Sequence, residues 1–141
     1  MPYSRVLIHT VWTTKDRKPC LTKANKDILC THIKDNATTK KIHIINVNGW
    51  LNHLHCLIVL SVDQNISTVM QLIKGESSYW ANKNLEMSEH FGWQDEYFAV
   101  SISESHFEVV NNYINNQEVH HQKKTFQEEY DEFIAKYKFE E

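Results

Sequence analysis

Two short stretches of this chain carry side chains that could attack a phosphate. His53-Leu54-His55 lies in an apolar run that reads as a strand, and Tyr113-Ile114-Asn115-Asn116-Gln117 lies on a predicted helix. Alternate residues of a strand point to one face, roughly 7 Å apart, so both imidazoles can reach one cation. Residues four apart on a helix share a face, so the Tyr113 hydroxyl and the Gln117 amide can point at one place. A tyrosine beside a metal ion is a means of attacking a phosphate and forming a covalent intermediate. Each signal is weak alone. An HxH pair is more often two half-buried histidines satisfied by neighbours, and no Asp or Glu follows this one until Asp63. A tyrosine beside Ile114 is more often the edge of a core, and Gln117 a solvated polar residue. His120 and His121 read as surface residues near a helix end, and Trp50, Trp80 and Trp93 as packing rather than as platforms for bases.

The elements that must position these groups follow from periodicity. Residues Ser4 to Thr14 are β-branched and apolar and read as a first strand. Thr22 can cap a helix carrying Ile28, Leu29 and Ile33 and ending near Asn36. Residues Lys41 to Val47 read as a second strand, Asn48-Gly49 as a type I′ turn, and Trp50 to Val62 as a third strand. Asn65 opens a second helix with Ile66, Val69, Met70, Ile73 and Trp80 on one stripe. After a loop from Glu86 to Trp93, residues Tyr97 to Ser103 alternate as a fourth strand. Ser105 with Glu108, and Thr125 with Glu128, form capping-box patterns ahead of two C-terminal helices.

The order β-α-β-β-α-β followed by two helices predicts an α+β, ferredoxin-like fold with a four-stranded antiparallel sheet. Helices cover one face of such a sheet and leave the other for a ligand or partner. On the third strand, Leu54, Cys56, Ile58 and Leu60 share the core face, and His53, His55, Leu57 and Val59 share the opposite one. The histidines are therefore expected to point away from the helical layer.

Composition narrows the class. A chain of 141 residues, 41% hydrophobic and 23% charged, is expected to form one domain, residues 1–141, of ordinary globular character. No apolar run has the length of a membrane span, and the N-terminus lacks the shape of a signal peptide. Cys20, Cys30 and Cys56 have no metal-binding spacing and read as free thiols of a reducing cytosol. The net charge of −3 argues mildly against nucleic acid, although Lys15, Arg17 and Lys18 cluster, as do Lys40 with Lys41 and Lys123 with Lys124.

Set against these readings, nearly the whole chain resembles the small single-tyrosine transposases of the HUH superfamily, which mobilise insertion sequences as single-stranded DNA. The resemblance runs through Val11-Trp12-Thr13-Thr14-Lys15-Asp16-Arg17, Asn52-His53-Leu54-His55-Cys56-Leu57-Ile58 and Ile73-Lys74-Gly75-Glu76-Ser77-Ser78. It continues through Trp93-Gln94-Asp95-Glu96-Tyr97-Phe98-Ala99-Val100-Ser101 and Tyr113-Ile114-Asn115-Asn116-Gln117-Glu118-Val119-His120-His121, and into Thr125-Phe126-Gln127-Glu128-Glu129-Tyr130. Asn52 stands where many relatives carry an acidic residue, and Glu96 where many carry glycine.

The resemblance implies that Tyr113 is the nucleophile in cleavage and rejoining of single-stranded DNA, through a 5′-phosphotyrosine. It implies that His53, His55 and Gln117 hold a divalent metal ion, Mg or Mn, and that Lys15, Arg17 and Lys74 contact DNA. The implied partners are the hairpin ends of an insertion sequence and a second copy of the chain. Tyr113 is then expected near the partner's histidines, in a homodimer joined through the sheets. The implied location is the cytoplasm of a prokaryote. The rival class is an inactive or domesticated nucleic-acid-binding derivative of the same fold.

Overall fold

The structure, a computed structural model, describes residues 2–137 and 139. Its strands are β1 (Val6–Thr13), β2 (His43–Gly49), β3 (His53–Leu60) and β4 (Phe98–Ile102). They form one antiparallel sheet in the order β2-β3-β1-β4, as the ferredoxin-like arrangement requires. The crossover helices are α1 (Lys23–Thr39) and α2 (Ile66–Asn84). Each begins where a side chain satisfies a free amide: Thr22 Oγ1 accepts from the Asn25 N–H, and Asn65 Oδ1 from the Thr68 N–H. Helical spacing places Leu29, Ile33 and Ala37 of α1 and Val69, Met70 and Ile73 of α2 on the sheet, against Leu54, Cys56 and Ile58 of β3. A fully buried aliphatic side chain of this kind contributes about 1.5–3 kcal/mol relative to exposure.

The sequence reading of the β2–β3 hairpin needs correction. Asn48 and Gly49 lie inside β2, paired with His55 and Leu54, and the chain reverses over residues 50–52. The Trp50 N–H donates to the His53 carbonyl and closes this turn. Gly49 has no positive φ. It is needed for close approach, because a Cβ there would lie 2.0 Å from the His53 carbonyl oxygen and 2.8 Å from the Leu54 Cα. No rotamer relieves a clash with backbone. Gly49→Ala is expected to destabilise the fold by about 3 kcal/mol or more, lowering Tm by about 10 °C. A thermal melt within about 2 °C of wild type would show that the hairpin yields instead.

Three further helices follow β4: α3 (Phe107–Asn115), α4 (Gln117–His121) and α5 (Phe126–Lys136). The Thr125–Glu128 capping box forms at the start of α5. The Ser105–Glu108 box does not, because Ser105 is taken up in a tight turn over Glu104–His106 and no side chain caps α3. Helix α3 lies against β2 through amides. Asn46 Nδ2 donates to the side chains of Asn111 and Asn115, and Asn48 Nδ2 to the Ile114 carbonyl. The second face of the sheet is therefore covered too, by α3 to α5, rather than left open.

Candidate active site

Strand alternation puts His53 and His55 on the face opposite α1 and α2, as expected, but the new helical layer seals both at 0% exposure. Phe126 stacks on the His53 ring, and Phe133 lies near His55 and His9. Tyr113 from α3 places its ring 5.4 Å from that of His55 in the same chain. One chain thus brings its own tyrosine and histidines together. Gln117, also fully buried, sits at the start of α4. The helix breaks at Asn116, yet the Gln117 amide still reaches back, its Nε2 donating to the Tyr113 carbonyl at 3.5 Å.

The carboxylate missing from the sequence around the HxH pair arrives on α5. Glu129 is 1% exposed. Its Oε1 lies 2.7 Å from His55 Nε2 and 3.5 Å from His53 Nε2. Its Oε2 accepts from the Tyr113 hydroxyl at 2.6 Å and lies 3.0 Å from His120 Nε2 and 3.1 Å from His121 Nε2. Burial opposes the charge on Glu129, but His121 and His55 beside it outweigh burial and hold its carboxyl below the usual range. Burial first, then the charge and hydrogen bond of Glu129, push the Tyr113 hydroxyl above the ordinary tyrosine range. Burial first, then the neighbouring His55, lowers both His53 and His9 to about 3, so both are neutral.

The donor pattern tests whether the centre suits a cation. The Asn52 amide is oriented by Nδ2 donating to the Arg17 carbonyl, so its Oδ1 accepts from His53 Nδ1 at 2.8 Å. A neutral imidazole has one N–H, which leaves a lone pair on His53 Nε2. That lone pair faces Gln117 Oε1 at 3.1 Å and Glu129 Oε1 at 3.5 Å. Three acceptors converge with no proton between them. Donor atoms about 3–3.5 Å apart are what a cation with bonds of about 2.0–2.2 Å draws around itself. His53, His55 and Glu129 form a group spaced to hold a metal ion. Asn52 thus fixes the His53 ring from the side away from Gln117. On the other side, His9 Nε2 lies 2.9 Å from His55 Nδ1 and fixes that ring.

The three basic residues singled out in the sequence do not converge. Lys74 Nζ is committed to the carbonyls of Gln94 and Asp95, at 2.6 and 2.9 Å. Arg17, in the left-handed region at φ 53°, lies over the Phe126 and Tyr130 rings and donates to Gln127, clasping α5 to the end of β1. Lys15 is exposed. The His121 side chain is turned inward, 3% exposed, and Trp93 packs in the main core. Sequence reading missed His9, Glu129 and His121. Glu129 stood in the sequence only as a member of the Thr125–Tyr130 stretch, which assigns it no chemistry by itself.

The structure is similar to two solved ones. A transposase candidate from Deinococcus radiodurans R1 aligns with a TM-score of 0.64 at 22% identity, over 82% of this chain and 93% of that one. A REP-associated tyrosine transposase bound to a REP hairpin aligns with a TM-score of 0.62 at 17% identity, over 86% of this chain and 72% of that one. At these identities the likeness speaks for the fold. No curated protein matches the sequence. The sequence profile of IS200-like transposases matches residues 2–117, a span that ends on Gln117 and leaves Glu129 beyond it. With that match over most of its length and the HUH pair and tyrosine in place, the chain belongs to the IS200-like transposase family.

Proposed function

We propose that this transposase cleaves and rejoins single-stranded DNA with Tyr113 as nucleophile. The observation that carries the reading is the convergence of half-buried Tyr113 with the fully buried His53, His55 and Gln117 in one centre. The Tyr113 oxygen bonds to the scissile phosphorus as the bond from phosphorus to the 3′ oxygen breaks. A 5′-phosphotyrosine and a free 3′-hydroxyl result. Glu129 Oε2 accepts the hydroxyl hydrogen at 2.6 Å and orients that oxygen, and the tyrosine proton ends on the departing 3′ oxygen. The ester conserves the energy of the broken bond, so rejoining needs no ATP.

His53, His55 and Gln117, together with Glu129, would hold a divalent ion, Mg or Mn, whose chemistry is to polarise the phosphate oxygens. Imidazole nitrogens favour Mn over Mg. A cavity of about 200 Å³ lined by His9, Val110, Tyr113, Glu129, Phe133 and Lys136 offers the approach to the nucleophile. The substrate is proposed to be a hairpin end of an insertion sequence, acted on in a prokaryotic cytoplasm. Among the described residues, no helix is long and apolar enough to cross a membrane. Incubation of the protein with single-stranded end sequences and Mn should yield a covalent protein–DNA species on a denaturing gel. A second reading, a DNA-binding derivative that does not cleave, is favoured by the sealing of both histidines beneath α5. Absence of the covalent species on cognate ends would select it.

A homodimer is proposed as the working form. Among the described residues, strand β4 is an outer strand of the sheet and pairs with β1 alone, whereas the β2 side carries α3. Light scattering at tens of micromolar should return twice the chain mass, and the mass of a single chain would count against the dimer.

A further inference from the structure

Glu129 faces two ways. Its Oε1 belongs to the centre built from β3, while its Oε2 points to a separate pair of imidazoles. His120 Nε2 and His121 Nε2 lie 3.0 and 3.1 Å from Oε2. The three ligating atoms fall within 4.8 Å of one another, a second grouping spaced to hold a metal ion. His121 supplies an independent observation. Its side chain is 3% exposed, and its Nε2 is buried with no hydrogen-bond partner. The contact with Glu129 is close enough, but the geometry does not align the nitrogen for a hydrogen bond. A buried polar nitrogen left without a partner costs about 1–3 kcal/mol, and a bound cation would remove that cost.

We infer that His120, His121 and Glu129 form a second cation site, joined to the first through the Glu129 carboxylate. Two imidazoles and one carboxylate suit zinc, manganese or cobalt rather than calcium. Carboxylate-bridged pairs of this kind hold their ions about 3.5–4 Å apart. An ion in the second site would face the Tyr113 oxygen, which lies 2.6 Å from Glu129 Oε2 and 3.3 Å from His120 Nε2. The inference shares Glu129 with the first site and otherwise stands on different residues.

The test is a count of ions, independent of cleavage. Full-length protein stripped with chelator is titrated with cobalt(II). Bound metal is then measured by equilibrium dialysis with elemental analysis, and visible absorption reports the ligand field. Wild type should bind two equivalents. His120→Ala removes a partly exposed ring, so the fold should persist, and should weaken one equivalent at least tenfold while sparing the other. His121→Ala should do the same, with circular dichroism confirming the fold. In His53→Gln with His55→Gln, its fold confirmed by circular dichroism, the equivalent sensitive to His120→Ala should remain. A single equivalent untouched by His120→Ala, or none at all, would overturn the second site. A single equivalent lost with His120→Ala but retained without His53 and His55 would sustain it and overturn the first.

Discussion

Tyr113→Phe should abolish the covalent protein–DNA species and lower strand cleavage by at least about a thousandfold, the scale seen when a nucleophile is removed from an active site. The change deletes one oxygen. The ring keeps its edge contacts with His55 and His9, and the helix keeps Ile114 buried beneath it. Loss of the hydrogen bond to Glu129 leaves that carboxylate with His55, His120 and His121 around it. The effect on Tm should therefore stay within about 1–2 kcal/mol of stability. DNA retention on a native gel should persist. The denaturing gel reads the chemistry, and peptide mapping of the wild-type adduct reads the position. An adduct on Tyr97, Tyr130 or Tyr137 would refute Tyr113 as the nucleophile.

The second large effect belongs to the histidine pair. His53→Ala with His55→Ala should reduce metal-dependent cleavage by about a thousandfold or more, the several kcal/mol that a Lewis acid supplies to phosphate chemistry. The sequence suggests that such a variant keeps its stability, because the two rings lie off the main core. The structure changes that expectation. Both rings are fully buried beneath Phe126 and Phe133, and Glu129 loses partners when they go. A loss of about 3–5 kcal/mol is expected. His53→Gln with His55→Gln fills more of the space, so it should keep more of the fold while still losing the first metal equivalent. A folded double variant cutting at the wild-type rate would exclude these histidines from the reaction.

What could be read from the sequence was set by local periodicity. The two-residue repeat of β3 assigns His53 and His55 to one face and Leu54, Cys56 and Ile58 to the other, because a strand allows no other arrangement. Helical spacing brings Tyr113 and Gln117 together even though the helix breaks at Asn116. Thr22, Asn65 and Thr125 signal helix starts that the structure contains. Other features lie outside local rules. Glu129 meets His55 across 74 positions, and only the return of α5 over the sheet makes that contact. His9 gains its role from its reach to His55 on the neighbouring strand β3. Asn48-Gly49 was misread because turn preference yields to strand register when backbone must pass close to backbone. The C-terminal layer, invisible as a layer in the sequence, is what buries the histidine face.

That layer bears on the fate of the bond the enzyme is proposed to make. A phosphotyrosine ester left open to solvent would drift toward hydrolysis, and a strand lost to water cannot be joined to a new one. Exclusion of water protects reactive intermediates from such side reactions. Phe126 and Phe133 roof the histidines, and Arg17 ties that roof to the end of β1. Once a strand has entered, a roof of this kind would shield the ester from water until a 3′-hydroxyl arrives to take it.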